Sequence, residues 1–152
     1  MTEMISLSDL LDFVMKREET SATFFASMAE RTGDSLLKTT FRNLKQRCED
    51  RKSIIMKLKR SSPKGGKSGS IQIDPIRSYL VDVQPLSEIS DRQGLAVGGL
   101  RAETSEKLYA GIAVLVSEPH LREIFDQLHV DHRLNGQLCN CLYDQRIERE
   151  IH

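Results

Sequence analysis

The chain has 152 residues, which is enough for one domain with a substantial hydrophobic core. Its 22 basic and 22 acidic residues cancel, so charge does not favour nucleic acid or an anionic membrane as a partner. It lacks a basic, apolar leader and any run near the roughly 18 apolar residues that cross a bilayer, and it has three cysteines, so we expect a cytoplasmic protein with no membrane contact.

The first helical hairpin is predicted over residues 6–60. Ser6 and Asp9 form a capping-box pattern at the start of its first helix, in which apolar residues recur at spacings of three and four. The second helix begins with either Asp34 or Ser35 as its cap. Because the turn "RTGD" between the helices is short, the two helices should be antiparallel.

A long connection is predicted over residues 61–89. Its first part, "SSPKGGKSGS", has the composition of a flexible linker. "GGKS" lacks the glycine four residues before "GKS" and a preceding strand, so it does not predict a phosphate-binding loop. The remainder is rich in apolar residues, and it should cross the bundle with one helical turn after Asp74 and Pro75.

The second hairpin is predicted over residues 90–150. Ser90 and Gln93 complete a capping box at its first helix, and Ser117 is the predicted cap of its second helix, with Pro119 in the first turn. Two hairpins joined by a long connection can both begin at the same end of a bundle, as in ferritin-like folds.

The two hairpins share sequence. Shifting the chain by 84 residues aligns residues 11–52 with residues 95–136 without a gap, and ten of 42 pairs are identical. Two unrelated amphipathic hairpins would also look alike, but the ungapped run with a shared "ETS" favours duplication. The identical pairs are Leu11/Leu95, Arg17/Arg101, Glu19/Glu103, Thr20/Thr104, Ser21/Ser105, Ala26/Ala110, Ala29/Ala113, Leu37/Leu121, Phe41/Phe125 and Leu44/Leu128.

The stretches "REETSATFFASMAERTGDSLLKTTFRNLKQRCEDRK" and "RAETSEKLYAGIAVLVSEPHLREIFDQLHVDHRLNG" together resemble the rubrerythrin branch of the ferritin-like superfamily. The resemblance covers residues 6–60 and 91–145, and the Cys-x-x-Cys module of rubredoxin type is absent. It implies an all-α fold over residues 1–152: a ferritin-like four-helix bundle made of two duplicated antiparallel hairpins with a long crossover. It also implies a homodimer and a di-iron centre that acts on oxygen or peroxide.

The resemblance places six metal-ligand positions on the core-facing stripes of the four helices. Only one of them keeps the residue type that the family uses, the glutamate of the first helix, while the duplicated Glu19 and Glu103 lie one place off the stripes. The residues at the six positions are Glu18, Cys48, Arg51, Ala102, His132 and Asn135.

This degenerate set predicts a polar cluster in place of a di-iron centre. A buried carboxylate requires a partner, so we predict an ion pair between Glu18 and Arg51, with His132 and Asn135 completing the cluster. Cys48 should be an inert core thiol.

Three alternatives remain open. A register shifted by one residue would match Glu49 and Lys52 and leave Arg51 in solvent. Glu18, Cys48 and His132 could instead converge on zinc or iron, or His129 and His132 could bind a metal beside Asp131. We expect no metal cofactor, with Fe or Zn as the alternative.

Three functional classes follow. The first, which we favour, is a non-catalytic bundle with a structural or protein-interaction role. The second is a divergent metal-binding oxidoreductase. The third is a nucleic-acid-binding or partner-binding bundle, which we disfavour; it would use the basic residues Lys57, Lys59, Arg60, Lys64 and Lys67.

Overall fold

The computed structural model describes residues 3–61, 69–81 and 88–151, and most of them are helical, as predicted. A short 3-10 helix, Asp74–Tyr79, lies where the helical turn was predicted. Two three-residue strands, β1 and β2, were not predicted, because segments so short show no alternating pattern. The long helices and the strands are α1 (Leu7–Arg31), α2 (Ser35–Ser61), α3 (Asp91–Leu115), α4 (Pro119–Ile151), β1 (Met4–Ser6) and β2 (Ser70–Gln72).

Side-chain caps fix where α1, α2 and α3 begin. Ser6 Oγ accepts a hydrogen bond from the amide of Asp9 at 3.0 Å. Ser90 and Gln93 form the complete reciprocal box. At α2 the cap is Asp34, whose carboxylate accepts hydrogen bonds from the second and third helical amides at 2.9 and 3.1 Å.

The prediction that Ser117 caps α4 is wrong. Glu118 caps this helix, because its carboxylate accepts hydrogen bonds from the amides of His120 and Leu121, both at 2.9 Å. Pro119 occupies the first helical position. A backbone N–H at this position would have no partner within the helix, so the N–H that proline lacks costs no hydrogen bond.

Each hairpin packs internally, α1 along α2 and α3 along α4, close to the predicted boundaries. The start of α1 lies with the end of α3, so these two helices are antiparallel and the two hairpins begin at opposite ends of the bundle. The expectation that both hairpins begin at the same end is therefore wrong. Two buried apolar clusters fill the interior. One lies around Leu11, Ile55 and Ile112 at the end of the bundle that carries β1 and β2, and the other lies around Phe25 and Phe41 at the opposite end. Between them, at mid-height, lie buried polar side chains.

The described part of the crossover follows the face formed by α1 and α3. Strand β2 pairs antiparallel with β1, and Ile76 of the 3-10 helix is fully buried. A Cβ on Gly111 would lie 2.5 Å from Ile76 Cγ2, so this close approach requires glycine. Farther along, Arg17 donates to the backbone oxygens of Tyr79 and Val81. The "GGKS" sequence lies outside the described residues.

Corresponding features of the two hairpins are separated by a constant interval. Adding 84 to the bounds of α1 gives those of α3, and adding 84 to the first residue of α2 gives the first residue of α4. The capping serines and the backbone bonds that close α1 and α3, Thr32 to Met28 and Val116 to Ile112, follow the same interval. The shift that aligns the sequences therefore also aligns both ends of α1 with those of α3 and the start of α2 with that of α4, whereas α4 continues six residues beyond the aligned end of α2.

None of the helices within residues 3–61, 69–81 and 88–151 has the length and apolar composition needed to cross a membrane.

Candidate functional site: a buried carboxylate and arginine

Glu18 is the centre of the buried polar cluster, and each of the other three long helices donates one group to its carboxylate. Arg51 Nε of α2 lies 3.1 Å from Oε1 and 2.9 Å from Oε2. Tyr109 Oη of α3 donates to Oε1 at 2.9 Å, and His132 Nε2 of α4 lies 2.6 Å from the same oxygen. Glu18 is 1% exposed and Arg51 is 2% exposed, so their interaction is sheltered from water.

The guanidinium of Arg51 also extends the cluster towards the surface. Its Nη1 donates to Asp131 Oδ2 at 2.5 Å, and its Nη2 donates to Cys48 Sγ at 3.3 Å. Asp131 in turn accepts a hydrogen bond from Arg47 at 2.8 Å. Charges of alternating sign therefore run from the core to the groove between α2 and α4, and they sum to zero if His132 is neutral.

The protonation states follow from burial and from these neighbours. Burial raises the pKa of Glu18, but His132 and Arg51 together outweigh it and bring that pKa down to about 2. Burial lowers the pKa of His132 and outweighs the attraction of Glu18. Among the described residues, His132 Nδ1 has no hydrogen-bond partner, which fits a neutral ring that donates its Nε2–H to Glu18. The compensating positive charge is therefore that of Arg51.

Cys48 is held as an unreactive thiol. Burial, and then the charge of Glu18, raise its pKa to about 12, and the opposing effect of Arg51 is smaller. A cleft of about 250 Å³ between α1 and α2 is lined by Glu18 and Cys48 among others, but the side chain itself is fully buried. A thiol with so little thiolate is a poor nucleophile.

The open question of register is resolved by burial. Cys48 and Arg51 face the core, whereas Glu49 is exposed and pairs with Lys45 at 3.6 Å. Lys52 lies at the surface and pairs with Glu19 at 3.4 Å, so the register shifted by one residue is wrong.

The remaining predicted site residues lie outside the cluster. Ala102 is buried and has no donor or acceptor side chain. Asn135 is buried on α4, but it makes no hydrogen bond to Glu18, Arg51 or His132, so the expectation that it completes the cluster is wrong. Its side chain is shorter than that of Arg51, which occupies the matching position of the first hairpin. His129 lies near the surface, with Nε2 3.7 Å from Asp126.

Sequence reasoning missed two members of the cluster. Tyr109 aligns with Phe25 in the internal repeat, so its hydroxyl is an extra polar atom at a core position and was the available signal. In the sequence, Asp131 stands out only as a neighbour of two histidines that could bind a metal. Its position next to His132 gave no sign that it would reach Arg51 across the bundle.

The chemistry of the donor set does not fit a di-iron centre. Two hard cations need several anionic oxygens, and this cluster presents one fully buried carboxylate. A guanidinium, which has no lone pair to offer and repels cations, already contacts Glu18 and Cys48. Over the described ranges, no three His, Cys, Asp or Glu side chains are grouped so as to hold a metal. His132 contacts Glu18 directly, whereas Cys48 contacts Arg51, so the predicted convergence of Glu18, Cys48 and His132 on a metal is not seen.

Comparisons with protein-family models, with curated proteins and with solved structures found no match, so nothing in them links the chain to the ferritin-like superfamily.

Proposed function

We propose that this protein is a ferritin-like bundle of rubrerythrin type in which the side chain of Arg51 supplies the positive charge that metal ions would supply, and that its role is structural or protein-binding without catalysis. The observation that carries the proposal is the two-oxygen contact between Arg51 and the buried carboxylate of Glu18. The guanidinium of Arg51 already neutralises the carboxylate of Glu18, so the carboxylate attracts a metal ion less strongly. The guanidinium also occupies the volume in which a metal ion would lie.

The ferritin-like part of the proposal is supported by the arrangement of the chain. Two antiparallel hairpins are joined by a crossover that runs along the α1/α3 face. The bounds of α1 and α3, and the first residues of α2 and α4, differ by 84 residues. In the same register Glu18 matches Ala102, Cys48 matches His132 and Arg51 matches Asn135. These three pairs are all buried, as duplicated ligand positions at mid-height would be.

Metal analysis of the purified protein tests the proposal. We expect less than one tenth of an equivalent of iron or zinc after expression in iron-supplemented medium and after anaerobic addition of Fe(II). The matched variant restores the ligand types of the family at five positions while keeping Glu18. It contains Cys48→Glu, Arg51→His, Ala102→Glu, His132→Glu and Asn135→His.

The restored variant should bind iron, which would show that the scaffold accommodates a metal centre once Arg51 is gone. If the natural chain itself retains close to one or two equivalents of metal, the proposal is wrong.

The alternative is a divergent metal-binding oxidoreductase, favoured by the 2.6 Å contact between Glu18 and His132, two side chains that could share a metal. It requires near-stoichiometric metal and consumption of hydrogen peroxide or oxygen that disappears in a Glu18→Gln variant. The same metal analysis therefore separates the two functions.

We also propose the cytoplasm as the compartment, because Cys48, Cys139 and Cys141 are all free thiols. A nucleic-acid role receives less support. Lys59, part of the basic tract, pairs with Asp12, and the tract's last two lysines lie outside the described residues.

A further inference from the structure

A pocket of about 360 Å³ lies at the end of the bundle that carries β1 and β2, where one end of each long helix meets β2. Its volume falls within the range of roughly 300–1,000 Å³ that is typical of small-molecule sites, which combine apolar walls with a few polar groups. The pocket has this composition. Its buried apolar wall is formed by Leu7, Leu58, Ile71 and Val116, and its polar lining residues are Ser61, Ser70, Ser117, Glu118 and His120.

Glu118 gives the pocket a negative charge. Its two carboxylate oxygens accept hydrogen bonds from the amides of His120 and Leu121, and these bonds hold the pKa of Glu118 below its usual range, so it is ionised at neutral pH. Over the described ranges, Glu118 forms no ion pair with a lysine or an arginine. Each carboxylate oxygen can accept more than one hydrogen bond, so Glu118 can still accept from a ligand in the pocket.

The opposite end of the bundle shows which group fits beside such a carboxylate. The shift of 84 residues matches Glu118 with Asp34, and each of them caps the second helix of its hairpin. There, Arg146 donates to Asp34 Oδ2 at 2.5 Å and lies 3.8 Å from Asp91. The residue that matches Arg146 in the first hairpin is a serine, Ser62. The sequence therefore places an arginine at the Asp34 end and none at the matching position for the Glu118 end.

The side chains around the two caps differ as well. At the Asp34 end, Thr32 donates to Asp91 at 2.9 Å, so polar side chains bond to one another there. The residues that match Thr32 and Asp91 at the other end are Val116 and Leu7, which line the pocket. The pocket thus offers a carboxylate at its edge and an apolar wall beside it.

From these features we infer that the pocket binds a small organic cation: an amine or guanidine on a hydrocarbon body of about six carbons, with its head paired to Glu118 as Arg146 is paired to Asp34. Charge-assisted hydrogen bonds to a carboxylate are stronger than neutral ones, and the hydrocarbon body is removed from water against Leu7 and Val116. At roughly 30 Å³ per water-sized group, the pocket has room for about twelve such groups, which is enough for n-hexylguanidinium.

Titration of the nitrogen-15-labelled full chain with n-hexylguanidinium chloride, followed by nuclear magnetic resonance, tests the inference. We expect a Kd below about 1 mM, as suits a ligand of about ten non-hydrogen atoms, with the largest shift changes at the amides of Ile71, Val116 and Leu121. 1-Hexanol and hexanoate carry the same hydrocarbon body with a neutral and a negative head. Both should bind at least tenfold more weakly, and hexanoate should be the weaker of the two because Glu118 repels it.

Two substitutions at Glu118 separate its charge from its role as a cap. Glu118→Gln removes the charge, so it should weaken binding of n-hexylguanidinium at least tenfold and leave binding of 1-hexanol unchanged. Glu118→Asp keeps the charge and installs the residue of the matching position in α2, so it should bind n-hexylguanidinium within about threefold of the natural chain. Circular dichroism of both variants should match that of the natural chain.

A substitution in β2 tests the location of the site independently of Glu118. Ser70→Tyr places a large side chain at the pocket from an exposed position, and it should weaken binding of n-hexylguanidinium and of 1-hexanol at least tenfold. Ser53→Tyr, at an exposed serine of α2 that does not line the pocket, should change neither.

Three outcomes would each overturn the inference: no binding of n-hexylguanidinium at 5 mM, equally tight binding of hexanoate, or a Glu118→Gln variant that binds like the natural chain. The inference goes beyond the proposed function, because the pocket lies at one end of the bundle and the cluster around Glu18 lies at mid-height. Metal content of the same samples separates the two. A metal-free chain that does not bind the cation contradicts only the pocket, and a metal-loaded chain that binds it contradicts only the proposed function.

Discussion

Replacing Arg51 with alanine removes the only cation that contacts the carboxylate of Glu18 within the described part of the chain. Breaking a buried ion pair by removing one partner typically lowers the free energy of unfolding by about 3–5 kcal/mol, because the other charge stays buried. The pKa of Glu18 gives an independent scale. Its fall from 4.5 to about 2, which is what remains after burial has opposed the effects of His132 and Arg51, corresponds to a net stabilisation of about 3 kcal/mol near neutral pH.

A loss of about 3 kcal/mol is a large part of the roughly 5–15 kcal/mol that stabilises a domain. At about 2–4 °C per kcal/mol for a chain of this size, the melting temperature of Arg51→Ala should fall by about 6–12 °C. Thermal and urea unfolding followed by circular dichroism would measure both quantities. The matched control is Arg47→Ala, which breaks an ion pair to Asp131 from a side chain that is 55% exposed and should lose less than about 1 kcal/mol.

A second variant separates lost charge from lost packing. Combining Glu18→Gln with Arg51→Met removes both charges and keeps most of the side-chain volume, and such replacements are often neutral or stabilising. The double variant should therefore recover at least half of the stability that Arg51→Ala loses. If Arg51→Ala melts within 1 °C of Arg47→Ala, or if the double variant is the least stable of the three, the ion pair is not what stabilises the middle of the bundle.

Three further outcomes are expected. Because the folded-state pKa of Glu18 lies below the unfolded value, its contribution is present above pH 4.5 and is lost as pH falls from 4.5 towards 2; in Glu18→Gln this part of the pH dependence of unfolding should disappear. Labelling of the native protein with a thiol reagent should modify Cys141 rapidly and the two buried thiols only after unfolding, and three equally fast thiols would contradict the assigned burial. Gly111→Ala should lower the free energy of unfolding by about 1–3 kcal/mol through its clash with Ile76, whereas Gly33→Ala, which meets no atom within 4 Å, serves as the control.

The helices were predictable because their signals are local. Ser6 and Ser90 are followed by the residues whose amides donate to them, and the apolar period continues into the last turn of α1 and of α3. Ser117 failed as a cap because Glu118 stands nearer to the free amides and its longer carboxylate reaches two of them. A competition between neighbouring acceptors depends on geometry that residue types alone do not give.

At the site, the contact between Glu18 and Arg51 was predictable because the resemblance places both residues at ligand positions on core-facing stripes, and a buried carboxylate requires a partner. The contact of Tyr109 with Glu18 was not, since it depends on how α3 is rotated about its axis relative to α1. Asp131 illustrates the same limit, because it reaches Arg51 only through the placement of α4 beside α2. Pattern thus predicts which residues face inward, and packing decides which inward-facing atoms meet.

The two hairpins contribute different groups to the buried polar cluster. Glu18 and Arg51 both belong to the first hairpin, while the second contributes the uncharged donors Tyr109 and His132 to Glu18 and, nearer the surface, the carboxylate of Asp131 to Arg51. The charge of the Glu18 carboxylate is thus balanced by an arginine of the same hairpin. Packing the second hairpin against the first therefore buries a neutral pair and not a lone anion, and the desolvation cost is smaller. A metal centre shared between the hairpins would instead make their association depend on the metal. If the proposed function is correct, the second hairpin is free of that requirement.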